Sequence, residues 1–393
     1  MGISEPEASP RSDTGNFISQ CLGRSFTDHN SISTLRNGDE IFPALNQAID
    51  SARKSIEFQT FIYWPGQVGK EFAQRLADAA DRGVAVRVLL DSFGCASIDR
   101  SALKILQRGC QVCWFRPISK VKVWQNLKRS HRKFLVCDGR IGFTGGVGIG
   151  DEWLGNGRTS GQWRDDHFQI EGPVVNSLRA AFLENWIEAC KPEDDLISEL
   201  EADSANPAGD EYVIPVPSTA SDFWSTAATL IRIAIAAANS SLQICTPYFV
   251  TDRKLENSLI DAKERGVDVR IMIPEPANSD SKLAALASVN CIPRLLEHDI
   301  PVYAYQPTLI HRKCLLINDE VAIIGSVNFN QRSQRKDDEF CLVIDKGKTV
   351  HSLIESFKED CRYSRELNLS EFRKRHKLLG KFARTIAPLR RHL

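Results

Sequence analysis

A histidine and a lysine two positions apart occur twice in this sequence, each time at the start of the same kind of segment. The first segment runs from His131 to Ile149 and the second from His311 to Phe329. Each has a His-Arg-Lys start, an apolar run and then a turn of small residues. Side chains two apart on a strand point to the same side, and glycine lets backbone N–H groups come close to a ligand. Such a cluster suits an oxyanion, most obviously a phosphate.

The duplication predicts one phosphate held between two imidazoles. The pattern is His-x-Lys-x4-Asp in the first copy and His-x-Lys-x4-Asn in the second, which gives the candidate residues His131, Lys133, Asp138, His311, Lys313 and Asn318. One histidine can attack phosphorus to form a phosphohistidine, while the other protonates the leaving alkoxide and later deprotonates the acceptor. The lysines would stabilise charge on the phosphate oxygens. This chemistry requires no metal and no cofactor.

Small residues after each apolar run are further candidates for the phosphate site. In the first copy they are Thr144, Gly145 and Gly146, and we expect Thr144 and Gly146 to contact the phosphate. Asp138 and Asn318 have two interpretations, because they could belong to the site or could simply end the strands. In the first interpretation, an amide at position 318 can hydrogen-bond but cannot neutralise a lysine.

Helix and strand patterns alternate along the chain, and these elements must position the candidate residues. Ile56 to Tyr63 and Val84 to Leu90 have strand patterns, with an amphipathic helix between them that closes at Gly83. The second half repeats this order, and Arg265-Gly266-Val267 matches Arg82-Gly83-Val84. The sequence therefore predicts an α/β fold of two duplicated sandwich domains, related by a pseudo-two-fold axis, with the active site at their interface.

We divide the chain into three parts. Residues 1–33 are predicted to be a mobile N-terminal arm, residues 34–205 the first domain, and residues 206–393 the second domain with a basic C-terminal helix. The stretch from Lys191 to Pro217 is acidic and rich in proline, so we interpret it as the linker between the domains.

Overall composition is that of an ordinary soluble globular protein, with 25% charged and 42% hydrophobic residues and a formal net charge of zero. That net charge argues against a nucleic-acid partner. The eleven cysteines, several of them in apolar runs, predict buried free thiols in a reducing compartment, hence the cytoplasm. The most apolar stretch, Ala227 to Ala238, is too short to span a bilayer and contains Arg232.

Basic charge is local, and it predicts peripheral contact with a membrane. Ser119 to Lys133 contains six basic residues and no acidic one, and the tail from Arg362 to Leu393 has ten basic residues against Glu366 and Glu371. We predict that the tail docks on anionic phospholipid. The alternative is an ordinary helix with a solvated basic face. The sequence does not predict an oligomeric state.

These motifs resemble the phospholipase D superfamily, and in detail its bacterial cardiolipin synthase branch. The resemblance extends from about residue 34 to the end of the chain. It rests on the following segments: Phe143-Thr144-Gly145-Gly146, Asp151-Glu152-Trp153-Leu154, Trp163-Arg164-Asp165, Glu171-Gly172-Pro173, Glu184-Asn185-Trp186, Gln306-Pro307-Thr308, Gly325-Ser326-Val327-Asn328-Phe329 and Arg332-Ser333. Three positions depart from the usual pattern, since Gly148 and Asp337 stand where many relatives have Asn and Asn318 where the motif usually has Asp.

The resemblance implies roles for four more residues. Ser326 and Asn328 would contact the phosphate, and Asp165 and Glu339 would hold Nδ1 of the two histidines. A carboxylate in that position fixes the imidazole tautomer and stabilises the imidazolium.

The resemblance also implies a phosphatidyltransferase that joins two phosphatidylglycerols into cardiolipin and releases glycerol. The alternatives are a phospholipase D-type hydrolase, a nuclease, which the zero net charge disfavours, and an inactive lipid-binding scaffold, for which Asn318 is the main argument. We assign nucleophilic attack to His131 because its copy keeps Asp138 and follows a basic segment. Acid–base catalysis then falls to His311.

Overall fold

The computed structural model describes residues 11–119, 126–190, 206–221 and 224–375. The elements of the first half are α1 (Asp13–Leu22), β1 (Thr27–Arg36), α2 (Asn37–Ser51), β2 (Ser55–Thr60), α3 (Gln67–Asp81), β3 (Ala85–Asp91), α4 (Arg100–Gly109), β4 (Gln111–Phe115), β5 (Arg129–Ser130), β6 (Phe134–Cys137), β7 (Ile141–Gly145), a 3₁₀ turn (Asp151–Trp153), β8 (Asp166–Glu171) and α5 (Val175–Cys190).

The second half repeats this order. Its elements are β9 (Glu211–Ser218), α6 (Thr226–Ala237), β10 (Ser241–Cys245), α7 (Arg253–Glu264), β11 (Asp268–Pro274), a 3₁₀ turn (Pro276–Asn278), α8 (Lys282–Ser288), α9 (Ile292–Glu297), β12 (Val302–Tyr305), β13 (Cys314–Ile317), β14 (Val321–Gly325), β15 (Asp337–Asp345), α10 (Gly347–Arg362), β16 (Ser364–Glu366) and α11 (Leu369–Arg375).

The strands of the described residues join into one hydrogen-bonded sheet in the order β16-β12-β11-β10-β13-β14-β15-β9-β1-β8-β7-β6-β2-β3-β4, with β5 beside β15. In the first half β2, β3 and β4 run parallel, and β6, β7 and β8 form an antiparallel run beside them. In the second half β10 to β12 and β13 to β15 repeat that arrangement. The predicted duplicated α/β fold is confirmed.

Apolar cores stack these elements in layers. Helices α2, α3 and α4 cover one face of the first half, and α1, α6, α7 and α9 cover the outer face of the second. Between the halves lies a shared core that contains α5, α10 and residues of both sheet regions. Phe134 and Phe340 meet there edge to face, with ring centroids 5.1 Å apart. Aromatic pairs favour this geometry, which fixes the two halves against each other.

Strand directions place both His-x-Lys motifs at corresponding ends of the two halves. His131 precedes β6, and the parallel strands β2, β3 and β4 end beside it because β2 is antiparallel to β6. His311 precedes β13 and lies beside the ends of β10, β11 and β12 for the same reason. We call this the cleft end. The opposite end, which holds the β6–β7 and β13–β14 turns, is called the turn end.

The prediction of a mobile arm is wrong for the part of residues 1–33 that the structure describes. Residues 13–22 form α1, and Ile18 is fully buried in the core of the second half. The backbone N–H of Ser12 donates to Asp345 at 2.9 Å. Few residues of α1 are apolar, so its sequence pattern is weak, and its order comes from tertiary contacts that sequence spacing does not reveal.

The interpretation of Lys191 to Pro217 as a linker is wrong for its last residues, because Glu211–Ser218 form β9 in the middle of the sheet. Pro215 and Pro217 pair with β15. Proline lacks an N–H donor, yet it is tolerated here because β1 pairs with β9 only near Val213 and Glu211. Residues 191–205 lie outside the described residues, and the domain boundary at 206 stays a prediction.

One pair of cysteines departs from the prediction of free thiols. Cys113 on β4 forms a disulfide with Cys190 at the end of α5, 77 residues away, with a Cα–Cα distance of 6.1 Å. The other nine cysteines are not in disulfides. The long separation explains the miss, since only the folded chain shows that the end of α5 lies beside β4.

The start of the basic tail folds onto the second half. Leu367 and Phe372 are buried in its apolar core, and the carboxylate of Glu297 on α9 accepts a hydrogen bond from Arg373. Residues 376–393 lie outside the described residues. Within the described part of the chain, no helix has the length and apolar character to cross a membrane.

Candidate active site

The short strands β6 and β13 bring each histidine and lysine into the interface between the halves. His131 donates its backbone N–H to Asp338 in the second half at 2.8 Å, and His311 donates to Arg164 in the first half at 2.7 Å. These bonds lock each motif to the opposite half. All four histidine and lysine side chains of the two motifs are buried, so the structure brings together the residues that the spacing predicted.

The arginine between each histidine and lysine anchors its motif in the protein interior. Arg132 donates to the side chain of Asn185 at 2.7 Å and to the Ala181 carbonyl at 2.8 Å. Arg312 forms ion pairs with Asp166 at 2.6 Å and Asp360 at 2.8 Å. A buried guanidinium needs such partners, and they point it away from the histidine and lysine on either side.

Each histidine is held by a carboxylate of the opposite half. Nδ1 of His131 lies 3.1 and 3.2 Å from the carboxylate oxygens of Glu339, which belongs to the second half. Nδ1 of His311 lies 2.7 Å from Asp165, which belongs to the first half. A carboxylate at Nδ1 leaves Nε2 to face the substrate, and at His311 Nζ of Lys313 lies 3.2 Å from that Nε2. The implied roles of both carboxylates therefore agree with this geometry, and neither half contains a complete histidine–carboxylate pair.

Burial keeps the imidazoles neutral in the unliganded site. It lowers the pKa of His131 to about 4 despite the opposing charge of Glu339, and burial together with Lys313 also lowers the pKa of His311. A neutral imidazole is the form that attacks phosphorus. A bound phosphate would raise both values because an opposite charge favours the protonated form.

The two lysines are close to losing their charge when the site is empty. Burial and the nearby Lys313 lower the pKa of Lys133 to about 7, and burial lowers the pKa of Lys313 to about 8. Their Nζ atoms donate to the carbonyls of His131 at 2.8 Å and His311 at 2.6 Å. An anion such as a phosphodiester between these two ammonium groups would favour their protonated forms.

The small-residue turns make room for the carboxylates. A Cβ atom at Gly146 would lie 2.3 Å from Oδ1 of Asp165. The backbone N–H of Gly146 donates to the Asp166 carbonyl at 3.3 Å, so it does not point freely at a phosphate as predicted. Thr144 is fully buried, and its hydroxyl has no hydrogen-bond partner among the described residues. A phosphate contact by Thr144 stays a prediction.

In the second half a hydroxyl group occupies the place of Gly146. Ser326 and Ser333 both donate hydrogen bonds to the carboxylate of Glu339. Ser326 therefore holds a carboxylate, whereas the resemblance implied contact with the phosphate. Asn328 is buried and its Oδ1 has no partner among the described residues, so its phosphate contact stays a prediction.

Asp138 and Asn318 do not belong to the cleft, which corrects their assignment as catalytic residues. Each lies five residues beyond its lysine, and a strand advances about 3.3 Å per residue, so both reach the turn end. Asp138 accepts from the backbone N–H groups of Arg53, Lys54 and Ser55 at 2.7 to 3.1 Å. Asn318 accepts in the same way from Asn239, Ser240 and Ser241 at 2.9 to 3.4 Å.

Backbone geometry explains why these two positions hold Asp and Asn. Asp138 has φ 53° and Asn318 has φ 56°, in the left-handed region that these residue types tolerate better than most. The required features are a short side chain with an acceptor oxygen, which an amide provides as well as a carboxylate. The substitution at 318 therefore has no direct effect on Lys313.

The structure adds residues that the sequence did not assign to the site. Nε1 of Trp153 donates to Asp165 at 3.0 Å. Rings surround both histidines: Trp163 and Tyr248 lie 5.4 and 6.3 Å from His311, and Phe61 lies 5.2 Å from His131. They exclude water from the imidazoles. The motif Trp163-Arg164-Asp165 was visible in the sequence, but the direction of each ring was not.

Asp337 is a second carboxyl group on the same face of β15 as Glu339, two residues away. Burial raises its pKa to about 7, although its partner Arg332 opposes the change. Nε of Arg332 donates to Oδ2 of Asp337 at 3.1 Å, while Oδ1 is buried and has no hydrogen-bond partner among the described residues.

Comparison with known proteins identifies the family of this sequence. The family model described as "Cardiolipin synthase, PLD-like domain" matches residues 45–156 and 231–361. The chain belongs to this family. The resemblance to the phospholipase D superfamily, in its cardiolipin synthase branch, is confirmed, and the family is one of phospholipase D-type phosphatidyltransferases. Each of the two matched regions contains one His-x-Lys motif, as expected of a duplication.

Curated relatives cover most of the chain. Cardiolipin synthase 1 of Bacillus cereus is 32% identical over 379 residues, which are 93% of this chain and 74% of the relative. A probable cardiolipin synthase of Bacillus subtilis is 31% identical over 346 residues, 88% of this chain and 68% of the relative. A crystal structure of phosphatidylserine synthase from Haemophilus influenzae has a TM-score of 0.75 at 15% identity and covers 97% of this chain and 98% of its own. That structural likeness supports the fold alone.

Proposed function

We propose that this protein joins two phosphatidylglycerol molecules into cardiolipin and releases glycerol, through a phosphohistidine intermediate. The observation that carries this proposal is the pair of buried imidazoles, each held at Nδ1 by a carboxylate of the other half. Such a pair can perform two in-line displacements on one phosphorus atom. The names of the curated relatives support the same reaction.

In the first step Nε2 of His131 attacks phosphorus, and the bond from phosphorus to the glycerol oxygen breaks. Protonated His311 gives its proton to that oxygen, so glycerol leaves as a neutral alcohol. In the second step His311 removes the proton from a hydroxyl of a second phosphatidylglycerol. That oxygen attacks phosphorus, and the phosphorus–nitrogen bond breaks to restore His131.

The contacts of the two carboxylates support this division of roles. His311 has the shorter carboxylate contact, 2.7 Å to Asp165, which stabilises an imidazolium well. Glu339 lies farther from its histidine, at 3.1 Å, and also accepts from two serine hydroxyls. His131 is therefore the better neutral nucleophile, and His311 the better proton carrier.

A phospholipase D-type hydrolase, with water as the acceptor, remains the second candidate because both steps use the same groups. The scaffold alternative loses its main argument, since Asn318 lies at the turn end.

We infer an anionic phospholipid as substrate and a peripheral membrane contact in the cytoplasm. For the predicted tail dock, Leu367 and Phe372 are buried and cannot insert into lipid, so apolar insertion by the tail would fall to residues 376–393.

The deciding experiment incubates the full chain with phosphatidylglycerol vesicles and identifies the lipid products by mass. Cardiolipin together with free glycerol supports transfer. Phosphatidic acid as the main product would instead identify a hydrolase. The matched controls are His131→Ala and His311→Ala, which should form neither product.

A further inference from the structure

Large exposed apolar side chains are concentrated at the cleft end. Phe93 is 58% exposed, Ile118 52%, Trp224 44% and Leu283 52%. Phe93 and Ile118 follow β3 and β4 in the first half, and Trp224 and Leu283 follow β9 and β11 in the second. Each of these strands ends at the cleft end, so each half has two exposed apolar side chains in the segments that follow its strands at this end.

The turn end is poor in exposed large apolar side chains among the described residues. Leu154, Ile187 and Tyr363 are the next exposed large apolar side chains, and they also lie toward the cleft end. Leu154 follows β7, which ends there, and the other two lie near the ends of α5 and α10, which run from the turn end to the cleft end. Among the described residues, Phe17 on α1 is the one exposed large apolar side chain outside this group. Scattered exposed residues need no explanation, but their restriction to one end of the molecule does.

Basic side chains accompany the apolar ones. Arg332, Arg335 and Lys336 are half-buried on the loop before β15, and the first two also face Asp337 and Asp252. The backbone of this loop is hydrogen-bonded to Arg129 and to Ser221 near Trp224. Lys282 is exposed beside Leu283. Apolar groups that alternate with cations around a cleft fit the interface of an anionic bilayer, where rings and aliphatic groups enter the lipid and cations meet phosphate groups.

We propose that Phe93, Ile118, Trp224 and Leu283 form an apolar rim that inserts into an anionic phospholipid bilayer and holds the cleft against the headgroups. This inference rests on the proposed function, because phosphatidylglycerol presents its phosphate at the bilayer surface while its acyl chains stay in the membrane. The rim has members on both halves, so insertion places the interface, and with it both histidines, over the lipid. Trp224 fits this position because tryptophan favours the boundary between lipid and water.

Cosedimentation with vesicles tests the rim. We expect the double variant Phe93→Ser/Ile118→Ser and the variant Trp224→Ser/Leu283→Ser each to bind phosphatidylglycerol vesicles on the order of a hundredfold more weakly than wild type, because each lost insertion weakens binding about tenfold. Phe17→Ser is the matched control and should bind as wild type does. Thermal unfolding verifies that every variant is folded.

Two further measurements separate this proposal from its competitors. Removal of residues 376–393 tests the tail: if that truncation abolishes binding while the rim variants still pellet as wild type, the rim is not the dock and the proposal is overturned. Equal binding of wild type and rim variants at every lipid concentration overturns it as well. Activity on short-chain phosphatidylglycerol dissolved as monomers should stay within about twofold of wild type in the rim variants, because that substrate needs no docking. If wild type fails to turn over this monomer, the proposed function fails, while cosedimentation still decides the rim.

Discussion

The two copies of the His-x-Lys motif share a backbone frame but hold their carboxylates with different donors. In the first half Asp165 accepts from the indole of Trp153 at 3.0 Å and from the backbone N–H of Asp166 at 2.9 Å. In the second half Glu339 accepts from the hydroxyls of Ser326 and Ser333. Because each carboxylate serves the histidine of the other half, this difference sets the two imidazoles apart.

The difference shows how a duplicated site acquires two roles. Burial raises the pKa of both carboxyl groups, but His311 and Lys313 outweigh it at Asp165, and His131 and Lys133 outweigh it at Glu339. Both therefore stay ionised with a pKa below the usual range. Asp165 lies 2.7 Å from its histidine and accepts from two N–H groups, whereas Glu339 lies 3.1 Å from its histidine and accepts from two hydroxyl groups. The sequence assigned attack to His131 partly because its copy keeps Asp138, but Asp138 lies at the turn end, so the contacts of the two carboxylates now support that assignment.

Alanine at each histidine gives the largest expected effect. Both His131→Ala and His311→Ala should lose at least about 10⁴-fold in transfer from phosphatidylglycerol. A nitrophenyl phosphodiester separates the two variants, because its leaving group needs no proton from His311. His311→Ala should still form a covalent phosphoenzyme with this substrate, detected by intact mass, and should release it slowly.

His131→Ala should form no adduct with the nitrophenyl substrate. Adduct formation in His131→Ala and its absence in His311→Ala would reverse the assignment of nucleophile and proton carrier.

Neutral amides at the carboxylates should have the next largest effect. Glu339→Gln and Asp165→Asn each remove the charge that stabilises an imidazolium, and we expect a loss on the order of 10³-fold in kcat for phosphatidylglycerol. If the two roles differ as proposed, a good leaving group should restore much of the first-step rate in Asp165→Asn and little in Glu339→Gln. Equal rescue in both variants would contradict the asymmetry. Burst kinetics with the nitrophenyl diester measures that step.

Loss of the donors to the carboxylates should cost less. Ser326→Ala and Ser333→Ala should each lower kcat about tenfold, because Glu339 loses one of its two hydroxyl donors and becomes less well positioned. Trp153→Phe is the corresponding change in the first half, since it keeps an aromatic ring and removes the N–H donor to Asp165. Because it also leaves space where the buried indole packed, thermal unfolding must show that this variant is folded. If Ser326 instead contacted the phosphate, its variant would raise KM and leave the pH profile of kcat unchanged.

The pH dependence of phosphodiester binding tests the lysines. The pKa is about 7 for Lys133 and about 8 for Lys313 in the unliganded site, and a bound anion raises both, so binding takes up protons above these values. Affinity should therefore fall about tenfold per pH unit between pH 7 and 8, and more steeply above pH 8. Glycerophosphoglycerol does not titrate in this range, and calorimetry on His131→Ala, which cannot turn it over, measures its affinity. A constant affinity from pH 6 to 9 would show that the lysines stay charged.

Short-range patterns predicted much of the fold and of the site. The apolar runs after His131 and His311 became β6 and β13, and the repeated Arg-Gly-Val segments indicated the duplication. Asp165 and Glu339 each contact the histidine of the opposite half. These contacts are long-range in the sequence, so spacing could not reveal them. Asp138 shows the converse, because a regular spacing of seven residues from His131 looked catalytic until strand length placed it at the turn end.

The smallest expected effect concerns the two turn-end residues and does not involve activity. Nδ2 of Asn318 donates to Oγ1 of Thr14 at 2.9 Å and to the Ala237 carbonyl at 3.0 Å, so the amide binds α1 to the second half. Asn318→Asp keeps the acceptor oxygen but loses both donations and places a carboxylate beside a carbonyl. We expect the free energy of unfolding to fall by about 1 kcal/mol and the transfer rate to stay within twofold.

Hydrogen exchange of the α1 amides locates that loss. Exchange in residues 13–22 should accelerate in Asn318→Asp and should not change in the matched variant Asp138→Asn, because α1 contacts only position 318 of this pair. A large fall in activity with unchanged exchange would mean that position 318 acts on Lys313 after all. The opposite result, faster exchange with full activity, would show that the second copy has adapted its turn end to hold α1 while both catalytic motifs stayed intact.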